Sequence, residues 1–141
     1  MTFLRVLLAM LSLAPVRGEK DALFRIALAQ AIVEATGDVQ EQDVLARLAW
    51  FESGYRRNVA RCEILGDHGR SRGTFQVQGI TDADRKASCG GLLEQAKLAV
   101  SYMHRSAAAC PRNEGAMRLA VYVSGRCDRG LAQARARWGA P

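Results

Sequence analysis

The carboxylate best placed for chemistry is Glu52, which ends an apolar helical stripe. On a helix its side chain shares one face with Leu45, Leu48 and Ala49. Acidic side chains are seldom left on a core face without compensation. A partly desolvated carboxyl keeps its proton more readily and can donate it to a leaving group. We therefore predict that Glu52 is a general acid, with a structural ion pair to a nearby arginine, Arg56 or Arg57, as the alternative.

Two later segments carry residue types that suit contact with a chain-like polar ligand. Residues 66–73, GDHGRSRG, contain glycines that allow sharp turns and a close approach of a ligand to the backbone. Residues 74–77, TFQV, alternate as in a strand, and Gln76 can offer its amide to a sugar. Tyr122 supplies a phenolic hydroxyl just before another turn. We expect these segments to form the wall of a cleft that Glu52 faces.

The elements that must position these residues are mainly helices. Helical periodicity is present before residue 37, over 41–53, from Gly91 to Pro111, over 115–123 and over 131–138. Asp21 is the predicted N-cap of the first of these helices. Residues 55–80 lack a helical period and are expected to form a hairpin or loop lobe. The predicted fold class is therefore mainly α, of the α+β type.

Residues 1–18 have the features of a secretory signal peptide. Arg5 is positively charged, residues 6–14 are apolar apart from Ser12, and small or branched residues follow. This apolar run is shorter than the roughly 20 residues that cross a bilayer. We expect 1–18 to be removed on export, and 19–141 to form one periplasmic or secreted domain without a stable membrane anchor. The alternative for 1–18 is a buried N-terminal helix.

The cysteines predict disulfides. Cys62, Cys89, Cys110 and Cys127 have wide, irregular gaps without a C-x-x-C pair, which disfavours a zinc site. In an exported chain they would form two disulfides, for which three connectivities are open. We favour Cys62–Cys89 with Cys110–Cys127, because each pair closes a fairly local loop. We predict no metal and no other cofactor.

The formal net charge of +6 comes from basic residues that are interleaved with acidic ones. Such a pattern is typical of solvated helix faces, or of a surface that attracts a polyanion. Nucleic acid is a poor fit as a partner, because the basic residues form no dense patch among the few aromatic ones.

Three motifs together resemble the lysozyme-like superfamily. They are E-S-G at residues 52–54, G-D-x-G-x-S-x-G-x-x-Q at 66–76 and Y-x-S-G at 122–125. Their order and spacing are most similar to the small exported lytic transglycosylases of bacteria, and the resemblance covers residues 38–127. It implies a lysozyme-like fold with a cleft for one partner, the glycan strand of peptidoglycan. We expect the protein to be a monomer.

The resemblance also implies roles for single residues. Glu52 matches the catalytic acid of the family, and Ser53 matches the serine that follows it. Gly73 and Gln76 match the glycine and glutamine of the second motif, which lines the cleft. Tyr122 matches the tyrosine of the third motif.

Two departures from the family bear on the mechanism. An asparagine usually follows the tyrosine, and this chain has Val123, so one polar contact to the sugar is missing or replaced. In animal lysozymes of the chicken type, a second carboxylate occupies the position of Ser71 in this chain. Glycosidases that use two carboxyls hold them at a set separation of about 5 to 9.5 Å. Without a carboxylate at residue 71, a single-acid reaction is the simplest hypothesis.

In that reaction Glu52 protonates the glycosidic oxygen, the N-acetyl group of the substrate stabilises the developing cation, and Glu52 then acts as a base. The muramic 6-hydroxyl attacks and leaves a 1,6-anhydro end. The first alternative is hydrolysis in which Asp67, or less favourably Glu63, orients a water. The second alternative, motivated by Val123, is a peptidoglycan-binding module without catalysis. Asp67 and Ser71 complete the predicted substrate-binding residues.

Overall fold

Helices make up most of the protein, whose computed structural model describes residues 2–139. The helices are α1 (Thr2–Leu13), α2 (Glu19–Ala35), α3 (Val39–Ser53), α4 (Arg57–Ala60), α5 (Asp82–Ala87), α6 (Leu92–Ala109), α7 (Ala120–Ser124) and α8 (Leu131–Trp138). Short 3₁₀ turns lie at Asp67–Gly69 and Gly115–Leu119. Two strands, β1 (Ser71–Arg72) and β2 (Val77–Gln78), pair in an antiparallel hairpin. The predicted mainly α class with a small β-containing insertion is confirmed.

The apolar core is organised around α3. Leu45, Leu48 and Ala49 are fully buried, and α1, α2, α6 and α8 all pack against this helix. Burial of one large aliphatic side chain stabilises the fold by roughly 1.5–3 kcal/mol. The carboxylate of Asp38 caps α3 by accepting a hydrogen bond from the backbone N–H of Glu41, so the helix begins two residues earlier than the sequence pattern indicates.

A buried ion pair replaces the helix cap that was predicted at Asp21. That prediction was wrong: α2 begins before Asp21, at Glu19, and the Asp21 carboxylate accepts a hydrogen bond from the fully buried Arg25 at 2.9 Å. Burial raises the pKa of Asp21, but hydrogen bonds from Arg17 and Arg25 outweigh this effect, and its pKa is lowered. Asp21 pairs with Arg25 because burying a guanidinium is costly unless an anion and further hydrogen-bond acceptors lie beside it.

The first helix packs into the same core. Val6 and Met10 of α1 are fully buried against α2 and α3, and the Arg25 guanidinium donates to the carbonyls of Ala14 and Pro15 just after α1. Within residues 2–139, no helix is long and apolar enough to cross a membrane. The removal of residues 1–18 on export is not tested by this packing and stays a prediction.

The insertion after α3 is a lobe built on the β1–β2 hairpin. Ser71 pairs with Gln78 and Arg72 pairs with Val77. The extended structure expected over residues 74–76 is wrong, because these residues belong to the turn of the hairpin. Gln76 takes a left-handed backbone conformation there, with a φ of 48°. Residues 57–60, also in the lobe region, form the short helix α4.

Both expected disulfides are present. Cys62–Cys89 links the start of the lobe to the segment after α5, and Cys110–Cys127 links the end of α6 to the loop before α8. Each bridge constrains the unfolded chain and is worth roughly 3 kcal/mol on chain-entropy estimates.

The Asp21–Arg25 pair gives the first testable prediction. Asp21→Asn leaves the guanidinium of Arg25 buried without its anion, so we expect the free energy of unfolding to fall by about 3 kcal/mol at neutral pH. Because the pKa of Asp21 is lowered in the folded state, this difference shrinks as the pH falls through that pKa. Urea denaturation of the full chain measures both effects.

The matched control for this prediction is Glu19→Gln, which changes an exposed acid two residues earlier. It should alter the free energy of unfolding by less than about 0.5 kcal/mol. An Asp21→Asn protein as stable as the wild type would contradict the stabilising role of the pair.

Candidate active site

A cleft of about 550 Å³ lies between the hairpin lobe and helices α3, α6, α7 and α8. Five of the residues singled out from the sequence line it together: Glu52, Asp67, Ser71, Gln76 and Tyr122. They come from three separate segments of the chain, and folding brings them to one cavity. Lining residues that the sequence patterns did not single out as site residues include Tyr102, Arg105 and Arg137.

Glu52 lies at the edge of the core with 20% of its side chain exposed. Its Oε1 accepts a hydrogen bond of 2.6 Å from Nε of Arg137 on α8. The alternative predicted a pair with Arg56 or Arg57, and these partners are wrong, because the carboxylate pairs with Arg137. The Nε of Arg56 instead donates to the carbonyl of Ser53. A carboxylate in such a pair is an acceptor only, so Glu52 must first take up a proton before it can donate one.

Sequence patterns could not identify Arg137 as a partner of Glu52. The two residues lie 85 positions apart, and an arginine in an arginine-rich helix is most simply interpreted as a solvated one. The local signal is the apolar phase of α8, in which Ala134 is fully buried. Since Arg137 follows Ala134 by three positions, it lies on the same side of the helix.

Gln76 forms part of the cleft wall through the turn of the hairpin. Its side-chain amide donates to the carbonyl of Gly73 at 2.9 Å. A Cβ atom at Gly66 would collide with the Gln76 side-chain oxygen, so the glycine allows the two segments to approach closely. The amide expected to meet a sugar is thus held against the backbone of its own turn.

Gly73 and Ser53 lie behind the cleft surface. The backbone of Gly73 has a φ of 73°, and a Cβ atom there would collide with the carbonyl oxygen of Ser88. The hydroxyl of Ser53 is buried and donates to the carbonyl of Ala49 at 2.7 Å. Neither residue is among those that line the cavity, and both stabilise the segments that carry lining residues.

Tyr122 links the helical part of the molecule to the lobe. Its hydroxyl donates to the carbonyl of Phe75 at 2.9 Å, across the cleft floor from α7 to the hairpin turn. Burial, and then the negative charge of Glu52, raise the pKa of Tyr122 well above its usual value. The phenol therefore remains a hydrogen-bond donor throughout the physiological pH range.

Asp67 is the second carboxylate of the cleft. It accepts hydrogen bonds from the hydroxyl of Ser71 at 2.5 Å and from the amide of Gln78 at 2.9 Å. These bonds lower the pKa of Asp67, so it is ionised at neutral pH. Glu63, the other acid considered for orienting water, lines a different groove.

Helix α6 contributes a tyrosine and an arginine, Tyr102 and Arg105, to the lining of the cleft. The hydroxyl of Tyr102 donates to Asp84 at 2.7 Å and accepts from the backbone N–H of Ile80 at 2.8 Å. The guanidinium of Arg105 lies 4.7 Å from the centre of the Tyr102 ring. This part of the cleft therefore offers a cation and an aromatic surface to a ligand.

A more open groove of about 730 Å³ lies beside α4, with Arg56, Arg57 and Arg61 in its lining. None of the predicted substrate-binding residues lines it, and neither does Glu52. Although it is larger than the cleft, it contains none of the motif residues Glu52, Gln76 and Tyr122.

Proton transfer and hydrogen bonding are the chemistry that the cleft residues can perform. Within residues 2–139, no group of three His, Cys, Asp or Glu side chains could hold a metal ion. Glu52 can move a proton once it is protonated, Asp67 can accept hydrogen bonds, and Arg105 and Arg137 supply positive charge.

Comparisons with protein-family models, with curated proteins and with solved structures give no match for this chain. Its function must therefore be inferred from the cleft and from the three motifs.

Gly73 gives the second testable prediction. Gly73→Ala forces a left-handed backbone on a residue with a Cβ atom and drives that atom against the Ser88 carbonyl. We expect a loss of about 2 kcal/mol in the free energy of unfolding. Gly37→Ala is the matched control, because a Cβ atom at Gly37 meets nothing within 4 Å and its φ is not positive.

Equilibrium unfolding in urea measures both variants. Equal stabilities for Gly73→Ala and Gly37→Ala would contradict the packing of the hairpin turn against Ser88.

Proposed function

We propose that this protein is a peptidoglycan lytic transglycosylase with a lysozyme-like fold. The observation that carries this proposal is the convergence of Glu52, Gln76 and Tyr122, one from each motif, on one cleft. An open cleft suits a polymer better than a closed pocket would, because a glycan strand must enter and leave at both ends. The mainly helical fold with a small hairpin lobe beside the acid agrees with this assignment.

The proposed reaction needs one acid and no water. Glu52 takes a proton from solvent and gives it to the glycosidic oxygen as the bond from that oxygen to C1 of the muramic sugar breaks. The N-acetyl group of the substrate stabilises the positive charge that develops at C1. The 6-hydroxyl of the same sugar then attacks C1, its proton passes to Glu52, and a 1,6-anhydro end is formed.

Ser71 supports the single-acid form of the reaction. It occupies the position at which a two-carboxylate lysozyme would have its second carboxylate. Its side chain is buried, with 4% of the residue exposed, and its hydroxyl donates a hydrogen bond to Asp67. A hydroxyl cannot replace a carboxylate as a nucleophile or as an electrostatic partner for the cation. Glu52 must then serve as the acid and the base in turn.

The two disulfides support an extracytoplasmic location, where such bridges form and persist. We propose that the protein acts in the periplasm or outside the cell, as a monomer, on the glycan strand. Its basic surface residues would favour approach to an anionic wall.

A second candidate function is hydrolysis of the same bond. Asp67 favours it, because this carboxylate lines the cleft, is ionised and could orient a water. A third, the binding module without catalysis, is favoured by Val123, an apolar lining residue at the position where the related family usually has asparagine.

Digestion of purified sacculi gives the third testable prediction. The wild type should release soluble muropeptides that are lighter by one water than hydrolytic products, as read by mass spectrometry. Glu52→Gln removes the proton donor while keeping the shape of the side chain, so its rate should fall by about 10²- to 10⁴-fold. Glu63→Gln is the matched control, since Glu63 lines another groove, and it should retain activity.

The outcomes separate the three candidates. Products that carry the extra water, together with loss of activity in Asp67→Asn, would support hydrolysis instead. Binding of the wild type to sacculi without release of fragments would support the binding module. Full activity of Glu52→Gln would contradict both catalytic proposals.

A further inference from the structure

We infer that Arg137 is a positioning residue for Glu52, which orients the carboxylate in the cleft and stabilises it between its two proton transfers. This inference rests on the proposed function. The three motifs that resemble the lysozyme-like superfamily end at residue 125. The role of Arg137 therefore comes from contacts in this structure and not from the resemblance.

The guanidinium of Arg137 is fixed by several contacts. Its Nε donates to Glu52 at 2.6 Å, and its Nη1 donates to the carbonyl of Gln133 at 3.1 Å. The guanidinium carbon Cζ lies 5.3 Å from the centre of the Phe51 ring. Only 13% of the Arg137 side chain is exposed. A charged group held this tightly in a cleft differs from a surface ion pair, in which two long side chains exchange freely with water.

Helix α8 presents Arg137 from a docked position. Ala134 of this helix is fully buried, and the carbonyl of Trp138 accepts a hydrogen bond from Gln40 at the other end of α3. Gly130, at the start of α8, packs so closely on Ser124 that a Cβ atom would be 2.9 Å from the serine Cβ. Arg137 therefore belongs to the wall of the cleft, and its contact with Glu52 does not require a mobile arm.

Several charged or titratable groups share the cleft with Glu52. They are Arg137 from α8, Tyr122 from α7, Tyr102 and Arg105 from α6, and Asp67 from the lobe. Of these, Arg137 makes a direct hydrogen bond to the carboxylate. The phenols are neutral, Asp67 is a carboxylate that is itself hydrogen-bonded, and the guanidinium of Arg105 pairs with Asp84, so none of them replaces this contact.

The pair matters most between the two halves of the reaction. After Glu52 has given its proton to the glycosidic oxygen, the guanidinium again stabilises the carboxylate and keeps it oriented. The carboxylate is then in place to receive the proton of the 6-hydroxyl, and Arg137 itself neither gains nor loses a proton.

The kinetics on soluble glycan strands give the fourth testable prediction. Arg137→Met removes the hydrogen bond that orients the Glu52 carboxylate, so kcat should fall on the order of tenfold while KM stays within about twofold of the wild type. Arg137→Lys keeps the charge but not the planar guanidinium, so it should recover only part of kcat.

Arg135→Met is the matched control. It removes the same charge from the same helix at an exposed position. Its kcat and its KM should follow the wild type. Thermal unfolding of each variant establishes that the fold is retained.

Two results would overturn the inference alone, in a wild type that cleaves glycan and depends on Glu52. One is an Arg137→Met protein with the kcat and the KM of the wild type, and the other is a kcat of Arg137→Met above that of the wild type, which would make Arg137 a block. If Arg137→Met does not fold, Arg137→Lys decides: a kcat/KM equal to the wild type contradicts the inference. An inactive wild type, or an active Glu52→Gln, would instead contradict the proposed function.

Discussion

Burial of one face of α3 is the constraint on which the cleft depends. Leu45, Leu48 and Ala49 fix the rotation of this helix in the core, and that rotation carries Glu52 to the edge where the core meets the cleft. The helix ends one residue later, at Ser53, and the left-handed backbone of Gly54 then turns the chain away. A different phase of the same helix would bury the acid completely or leave it in solvent.

The hairpin lobe forms the second wall only because it is tied to the helices at several points. The Tyr122 hydroxyl holds the carbonyl of Phe75, and the side chain of Gln95 accepts a hydrogen bond from the backbone N–H of Thr74 at 2.8 Å. The Cys62–Cys89 disulfide closes the base of the lobe. Such a short hairpin would be marginal alone, and these contacts let it hold Gln76 opposite the acid.

Periodicity was sufficient to locate the longer helices α2, α3 and α6 and to place Glu52 on a core-facing stripe, but it did not indicate the short helices α4 and α5. The cysteine spacing also favoured the disulfide pairs that are present, because short loops are the easiest to close. These features are determined by the spacing of residues that lie close together in the chain. The region between residues 55 and 80 was predicted only as a lobe. Its turns depend on residues with a left-handed backbone, such as Gln76, and a glutamine does not indicate that conformation.

The features that sequence patterns missed are pairs of charged residues. Arg25 lies on the buried face of α2, where Asp21 and the carbonyls after α1 satisfy its guanidinium. Arg137 meets Glu52 from a helix at the far end of the chain. The Glu52–Arg137 pairing needs the tertiary fold to bring its partners together. Asp21 and Arg25 lie four residues apart on α2, and what the spacing does not indicate is the burial of their pair.

The central claim is that Glu52 cleaves a glycan strand with a hydroxyl of the substrate, and not water, as the attacking group. Digestion of sacculi in water labelled with heavy oxygen tests it most directly, because the label enters a new muramic end only if solvent attacks. We expect the ends released by the wild type to carry no label from the solvent. Muramic ends that carry one labelled oxygen each would contradict this account.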